Sequence, residues 1–315
     1  MRFSIAKVHG SGNDFPLIDA RAIALDGAAW ANVARALADR AGPVGGDGLL
    51  LLTSGDAEHA FGMSMRNSDG SDAETCLNGL RCVARAGFAA LGIEQAQVKL
   101  KTSSAAVERE PDMAPGVFTV RETAGPAGID TRAFPIIGAP AQLIEAPLPM
   151  LGSPRTFTAV TIPNPHLISF VERIDDGELQ ALGERCEAAP DWLPNRANVS
   201  FVEVRGGDLY VRTFERGVGL TDSCGSAMAA STYAAGITAR VPFDRALTVF
   251  NRGGMIRAEA SADGMVTLAG NATIEWEGEV TVDLERSVAH DLVVTRTHAD
   301  EQAAWARVLN GIASD

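Results

Sequence analysis

No stretch of this 315-residue chain approaches the roughly 18 consecutive apolar residues of a membrane-spanning helix. The first 15 residues hold Lys7, His9 and Asp14 and no apolar core, so a secretory signal is not expected. Basic residues are outnumbered: 27 Lys and Arg face 40 Asp and Glu, for a net charge of −13. That balance argues against a nucleic-acid partner, because phosphate binding needs clustered cations. Cysteine is sparse, at Cys76, Cys82, Cys186 and Cys224. No CxxC pair occurs, and Cys76 and Cys82 have no neighbouring histidine, so no metal site is expected. Spacing this loose shows no disulfide framework, and reduced thiols in a cytoplasm are the expectation. Low-complexity tracts and short-period repeats are absent.

The length suffices for two domains, each with its own core, and the 46% apolar content is ordinary for a folded, soluble chain. In the first half, strands are expected at Arg2 to Val8, Gly48 to Leu52, Val98 to Lys101 and Val117 to Val120. Trp30 to Ala41 has helical spacing at Trp30, Val33, Ala34 and Leu37. The Gly- and Pro-rich stretch Thr123 to Pro140 is the natural crossover. Beyond it, Thr156 to Ile162, Leu167 to Val171, Val199 to Val204, Leu209 to Thr213 and Leu247 to Phe250 read as strands, and Leu179 to Cys186 as a helix. Thr273 to Gly278 makes a last strand, Glu285 to His298 is less patterned, and Asp300 to Leu309 is an amphipathic helix with Gly311 as its stop. Two α+β halves built alike are the simplest architecture.

Two cysteines stand in matching settings. Glu74-Thr75-Cys76-Leu77-Asn78-Gly79 and Asp222-Ser223-Cys224-Gly225-Ser226-Ala227 each place an acid two before the thiol and a hydroxyl one before it. Each runs into an alanine-rich helical stretch, Arg81 to Ala90 or Met228 to Ala235. A thiol at a helix N-terminus faces unpaired amides and the positive end of the dipole, which favours its thiolate. Two such thiols on opposite sides of one carbon make an acid–base pair, the equipment of a racemase or epimerase that needs no cofactor. A lone cysteine before a helix is usually a small buried residue; duplication is what points to catalysis. Cys82 and Cys186 keep the plain reading of buried thiols.

His9-Gly10-Ser11-Gly12-Asn13-Asp14-Phe15 invites comparison with a phosphate loop but lacks its Lys-Ser/Thr ending. Gly42-Pro43-Val44-Gly45-Gly46-Asp47-Gly48 follows, then Arg66-Asn67-Ser68-Asp69-Gly70-Ser71 and Cys76-Leu77-Asn78-Gly79-Leu80-Arg81-Cys82. Asn164-Pro165-His166, Asn198-Val199-Ser200-Phe201-Val202, and Phe214-Glu215-Arg216-Gly217-Val218-Gly219 leading to Cys224-Gly225-Ser226 complete the series. In this order, from residue 3 to about 278, the motifs resemble those of the diaminopimelate epimerases.

The resemblance implies an α+β fold of two similar pseudo-symmetric domains, each a curved sheet or barrel around a central helix, with the active site in the cleft between them. Residues 1–122 with 270–283 would form the Cys76 domain, 123–269 the Cys224 domain, and 284–315 a C-terminal extension. It implies epimerisation of LL- to meso-diaminopimelate, in lysine and cell-wall precursor synthesis, with Cys76 and Cys224 as the two bases and no cofactor. The α-carboxylate would lie on backbone amides around Asn78-Gly79 and Gly225-Ser226. Asn67, Asn164, Asn198 and Arg216 match the residues that hold the distal end, Glu215 can pair with an ammonium, and Asn13 and His166 match further site positions. The expected partner is a small-molecule substrate, with a homodimer left open.

Three departures stand out. Leu77 replaces the usual Gly after the first cysteine, Thr221-Asp222-Ser223 is more polar than usual, and Gly225-Ser226-Ala227 replaces Gly-Thr-Gly. Leu77 is expected to crowd the carboxylate site or shift its loop, and motivates an alternative: a racemase of another amino acid, such as histidine or hydroxyproline. A cysteine hydrolase pairing one thiol with His166 would leave the second motif unexplained. A non-catalytic relative would be expected to lack one of the thiols.

Overall fold

In the computed structural model, which describes residues 1–73 and 76–312, strands β1 (Arg2–Gly10) and β2 (Asn13–Asp19) close a hairpin over Ser11 and Gly12. Both turn residues have positive φ, 51° and 82°. Such a two-residue turn matches the twist of its strands. The glycine-containing segment after the strand expected at Arg2 to Val8 is therefore a hairpin turn, and it places Asn13 at the start of β2.

Helix α1 (Gly27–Ala38) leads to β3 (Gly48–Ser54), parallel to β2 with Leu17 opposite Leu50. Strand β4 (Phe61–Asn67) returns antiparallel. Helix α2 (Leu77–Leu91) crosses to β5 (Gln95–Lys99), parallel to β4, and β6 (Ser104–Glu110) and β7 (Thr119–Ala124) follow antiparallel. Helix α2 packs against each of β1 to β6. Six flat strands at about 4.8 Å spacing would span about 24 Å, more than twice a helix's width, so this sheet must curl around α2.

The next stretch repeats the sequence of pairings. After β8 (Ala146–Pro147), β9 (Thr156–Ile162) and β10 (Asn164–Phe170) form an antiparallel hairpin. Helix α3 (Asp176–Glu187) crosses to β11 (Asn198–Arg205), parallel to β10 with His166 opposite Asn198, and β12 (Asp208–Glu215) returns antiparallel. After β13 (Gly219–Thr221), helix α4 (Gly225–Ile237) crosses to β14 (Leu247–Asn251), parallel to β12, and β15 (Gly254–Ala260) pairs with β14. Helix α4 packs on β9 to β12 and on β15. Its residues Gly225 to Ala235 are all buried, mostly Ala, Gly, Ser and Thr. A helix without a polar face belongs inside a core.

Strand β16 (Val266–Asn271) precedes β17 (Thr273–Asp283), which lies against β1, and β18 (Val288–Thr297) pairs with β17. Helix α5 (Ala299–Ile312) ends the described chain. The chain divides into one unit of Met1–Glu122 with Ala269 onward and another of Thr123–Leu268. The residues read as an extension thus belong to the first unit: Glu301 on α5 grips Arg85 of α2 in a two-pronged ion pair at 2.6 and 2.8 Å. The poorly patterned segment before it is a strand, and α5 runs through Gly311 instead of stopping there. The last residues of the expected extension, 313–315, lie outside the described part.

Candidate active site

Side-chain caps separate the outer helices from the central ones. Asp26 and Asp175 cap α1 and α3, their carboxylates accepting from the amides of Ala29 and Glu178 at 2.8 and 3.0 Å. In the same position α2 and α4 carry cysteine: Cys76 and Cys224, both with extended backbone. Asp is among the strongest caps, so cysteine at both central helices is a choice that helix stability does not explain. Because the cap sits at Cys76, α2 begins at Leu77, four residues before the expected start.

Cys76 Sγ accepts from the Gly79 amide at 3.3 Å, and its thiol donates to Asn13 Oδ1 at 3.5 Å. Gly79 lets α2 lie close on β3, since a Cβ there would come within 2.7 Å of Leu50 Cδ2. The Asn78 side chain is buried and accepts from Arg81 at 2.8 Å, so this amide group serves the helix. Arg81 also donates to the Asn271 carbonyl and forms a fully buried ion pair with Glu122 at 2.8 Å. Burial pushes the Glu122 carboxyl up to about 7 against the pull of Arg81. Leu77 is a buried core side chain, 4% exposed. Glu74 and Thr75, the acid and hydroxyl of the first motif, lie outside the described residues.

Asn67 ends β4 and is tied to its own turn, with Nδ2 donating to Ser71 Oγ at 2.9 Å. His9 is buried beside Trp305, ring centroids 5.9 Å apart, and burial lowers it to about 4, which leaves it a neutral packing residue.

In the second unit, Cys224 is 8% exposed with Sγ 3.5 Å from Ser226 Oγ. The expectation that its helix favours the thiolate is corrected here. Burial first, then the charge of Glu215, push its pKa well above the ordinary thiol range. The Ser226 hydroxyl and the Ala227 amide pull the other way without winning, and the sulfur closes no cap hydrogen bond. Glu215, at the end of β12, accepts from Thr221 Oγ1 at 2.5 Å. Ser223 Oγ accepts from Asn251 at 3.1 Å. Two of the unusual polar residues before Cys224 are therefore built into its surroundings.

Asn198 is buried and committed at both ends. Its Oδ1 accepts the Arg216 amide at 2.8 Å, and its Nδ2 lies 3.4 Å from His166 Nε2. The Arg216 guanidinium donates to the Asn195 carbonyl at 3.1 Å. His166 is fully buried, and burial with the nearby Arg216 charge lowers it to about 3. A neutral imidazole engaged with Asn198 is no partner for a thiol, and its Nδ1 finds no hydrogen bond among the described residues. Asn164 opens β10, and Gly225 and Ser226 form the first turn of α4, where helix amides have no internal acceptor. Cys82 and Cys186 are buried, and burial pushes both up to about 12, which suits inert thiols. No three His, Cys, Asp or Glu side chains converge as metal ligands among the described residues.

Sequence reasoning missed one group. Asp47, read only as a member of the Gly42 to Gly48 motif, accepts from Asn13 Nδ2, and Arg40 bridges Asp47 and Asp14 at 2.6 and 2.7 Å. The signal was available: Gly45-Gly46-Asp47-Gly48 presses on β2, where a Cβ at position 46 would meet Pro16 Cδ at 2.7 Å.

Comparison with known proteins gives four likenesses. The family model described as diaminopimelate epimerase matches residues 5–119 and 158–280. A diaminopimelate epimerase from Clostridium acetobutylicum is 38% identical over 290 residues, covering 90% of this chain and 87% of the relative. Among solved structures, a predicted epimerase from Pseudomonas aeruginosa superposes with a TM-score of 0.64 at 16% identity, covering 89% of this chain and 100% of that one. A hydroxyproline epimerase from Agrobacterium vitis with bound trans-4-hydroxy-L-proline gives 0.62 at 13% identity, over 90% and 92%. At such identities the two structures speak to the fold alone.

Proposed function

The chain belongs to the diaminopimelate epimerase family, and on that premise we propose that it interconverts LL- and meso-diaminopimelate by proton transfer between two thiols. The observation that carries this reading is the pair of cysteine caps on the two central helices, against aspartate caps on the outer ones. An α-hydrogen of an amino acid is weakly acidic, so its removal needs a close base and stabilisation of the growing negative charge. One thiolate takes the proton, and the other thiol delivers its own to the opposite face of the same carbon. Starting from the other stereoisomer, the roles exchange.

The first turns of α2, at Asn78-Gly79, and of α4, at Gly225-Ser226, supply amides for the α-carboxylate. Losing one such donor typically costs roughly 100- to 1000-fold in rate. Arg216 clamps the distal carboxylate, with Asn67 and Asn164 beside it. Asn198 acts through Arg216, whose backbone it fixes; His166 supports Asn198 as a neutral ring. Glu215 receives the substrate ammonium. Pairing that carboxylate with the ammonium weakens the second cause that keeps Cys224 protonated, while burial, the first, remains. No cofactor enters the scheme. A reduced cytoplasm is the setting that two working thiols require, and among the described residues no helix is long and apolar enough to cross a membrane.

Incubation with a panel of pure amino-acid stereoisomers in deuterated water tests the reading. Solvent deuterium should appear at the α-carbon of LL- and meso-diaminopimelate and of no other amino acid. Labelling of proline, hydroxyproline or histidine in their place would overturn the substrate assignment.

A further inference from the structure

We propose that Asp47 is a positioning residue for the reaction: it fixes which end of the Asn13 amide meets the Cys76 sulfur. This rests on the reading of Cys76 as one of the two bases. A side-chain amide has a donor end and an acceptor end, and its neighbours decide which way it faces. Asn13 Nδ2 donates to Asp47 Oδ2, which also accepts the Asp14 amide at 3.1 Å. A carboxylate has only acceptors to offer, so Nδ2 must point at Asp47 and Oδ1 must point at Cys76, 3.5 Å away.

The carboxylate is itself held in place. Arg40 binds Asp47 Oδ1 at 2.6 Å and Asp14 at 2.7 Å. The Asp47 amide donates to the Asp14 carbonyl at 2.8 Å, clamping the loop to β2. Buried Lys7 completes the base, binding Asp14 and the Gly45 carbonyl, the latter at 2.6 Å. Burial works to raise Asp14, but Arg40 and Lys7 outweigh it and hold the carboxyl below its usual range. Among the described residues the charged groups around this chain of contacts are Lys7 on β1, Asp14 on β2, Arg40 after α1, Asp47 before β3, Arg81 on the second turn of α2 and Glu275 on β17, which acts on Lys7 and Asp14 through its charge.

The chemical consequence is directional. An acceptor facing the sulfur favours S–H, whereas the Gly79 amide favours S⁻. With Oδ1 held toward it, the sulfur meets one contact that favours each of its protonation states. Released from Asp47, the amide can present Nδ2 to the sulfur and add a second donor to the thiolate.

The test is a titration of Cys76 by ultraviolet thiolate absorbance in the full chain carrying Cys224→Ala, where Cys82 and Cys186 stay protonated up to about 12. Asp47→Ala should lower the Cys76 midpoint by about one pH unit, a tenfold change in its ionisation constant. Asp47→Asn keeps an oxygen for Asn13 Nδ2 and should restore the parent midpoint. With Asn13→Ala in the background, Asp47→Ala should shift nothing further. An unchanged midpoint in Asp47→Ala, an equal shift in Asp47→Asn, or a shift that persists without Asn13 would each overturn the proposal, the last two by assigning the effect to charge through space. The titration needs no turnover, so failure of the diaminopimelate reading and failure of this one are separate results.

Discussion

The two units share one scaffold and differ where the sulfur sits. Both run hairpin, helical crossover, hairpin, helical crossover, hairpin, and both place a cysteine at the cap of the second crossover helix. Cys76 is half-buried, capped by an amide and faced by a neutral amide oxygen. Cys224 is buried, closes no cap bond and is faced by a carboxylate. The means of holding the two helices also differ. A buried ion pair and its hydrogen bonds anchor α2, whereas α4 is small-residue packing on every side. Backbone order is therefore common to the two halves, while protonation is set locally, at Cys224 by burial first and then by the Glu215 carboxylate.

The largest effect breaks the comparison at the thiols. Cys76→Ala and Cys224→Ala should each lower epimerisation on the order of 1000-fold or more, measured by proton NMR of the stereoisomers. Each variant should still eliminate HX from a halogenated substrate analogue, which needs one base only. Full turnover with either thiol missing would end the two-base scheme.

A smaller effect concerns the buried histidines, one per unit. His9 is lowered to about 4 and His166 to about 3. An unfolded chain takes up a proton near the ordinary histidine value of about 6.5, which the folded chain refuses until those lower values. Stability is therefore full above about 6.5 and drains away as the pH falls toward 4, by on the order of a few kcal/mol per histidine. Urea unfolding across this range should show the loss. His166→Asn and His9→Asn should each flatten the slope between about 6.5 and 4, and only His166→Asn should still flatten it between about 4 and 3; equal slopes in all three proteins would count against it.

The smallest effect sharpens the contrast between the sulfurs. In a Cys76→Ala chain, Glu215→Gln removes a carboxylate that holds Cys224 protonated, so the Cys224 thiolate midpoint should fall by about one pH unit, read by ultraviolet absorbance. An upward shift would reverse the sign argued here.

Much of the second half was legible because its strands are continuous and apolar: Thr156 to Ile162 and Leu247 to Phe250 match β9 and β14 closely. Strand β2 was not, since Gly10-Ser11-Gly12 reads as a break until the two-residue turn is seen to pair its flanks. Strand β18 hid because its valines at 288, 293 and 294 face outward, leaving little period-2 signal, and its partner β17 decides its conformation. At the site, the paired cysteines were readable from local spacing. The Asp47–Asn13 contact spans 34 positions, and the Arg81–Glu122 pair 41, so folding alone brings them together. The raised Cys224 was equally hidden, because burial belongs to the fold and not to the motif around the residue.

One feature of the first unit bears on how the protein is made. Strand β1 lies between β2 and β17, and the amino terminus itself donates to the Val282 carbonyl at 2.6 Å. During synthesis β1 leaves the ribosome with one edge open, and the strand that covers it emerges only some 270 residues later. At roughly 5 to 20 residues per second, that wait is tens of seconds or less. The continuous segment from Thr123 to Leu268 is all translated by then. The half that holds Cys224 can thus finish folding on the nascent chain, while the half that contains β1 is the last to close.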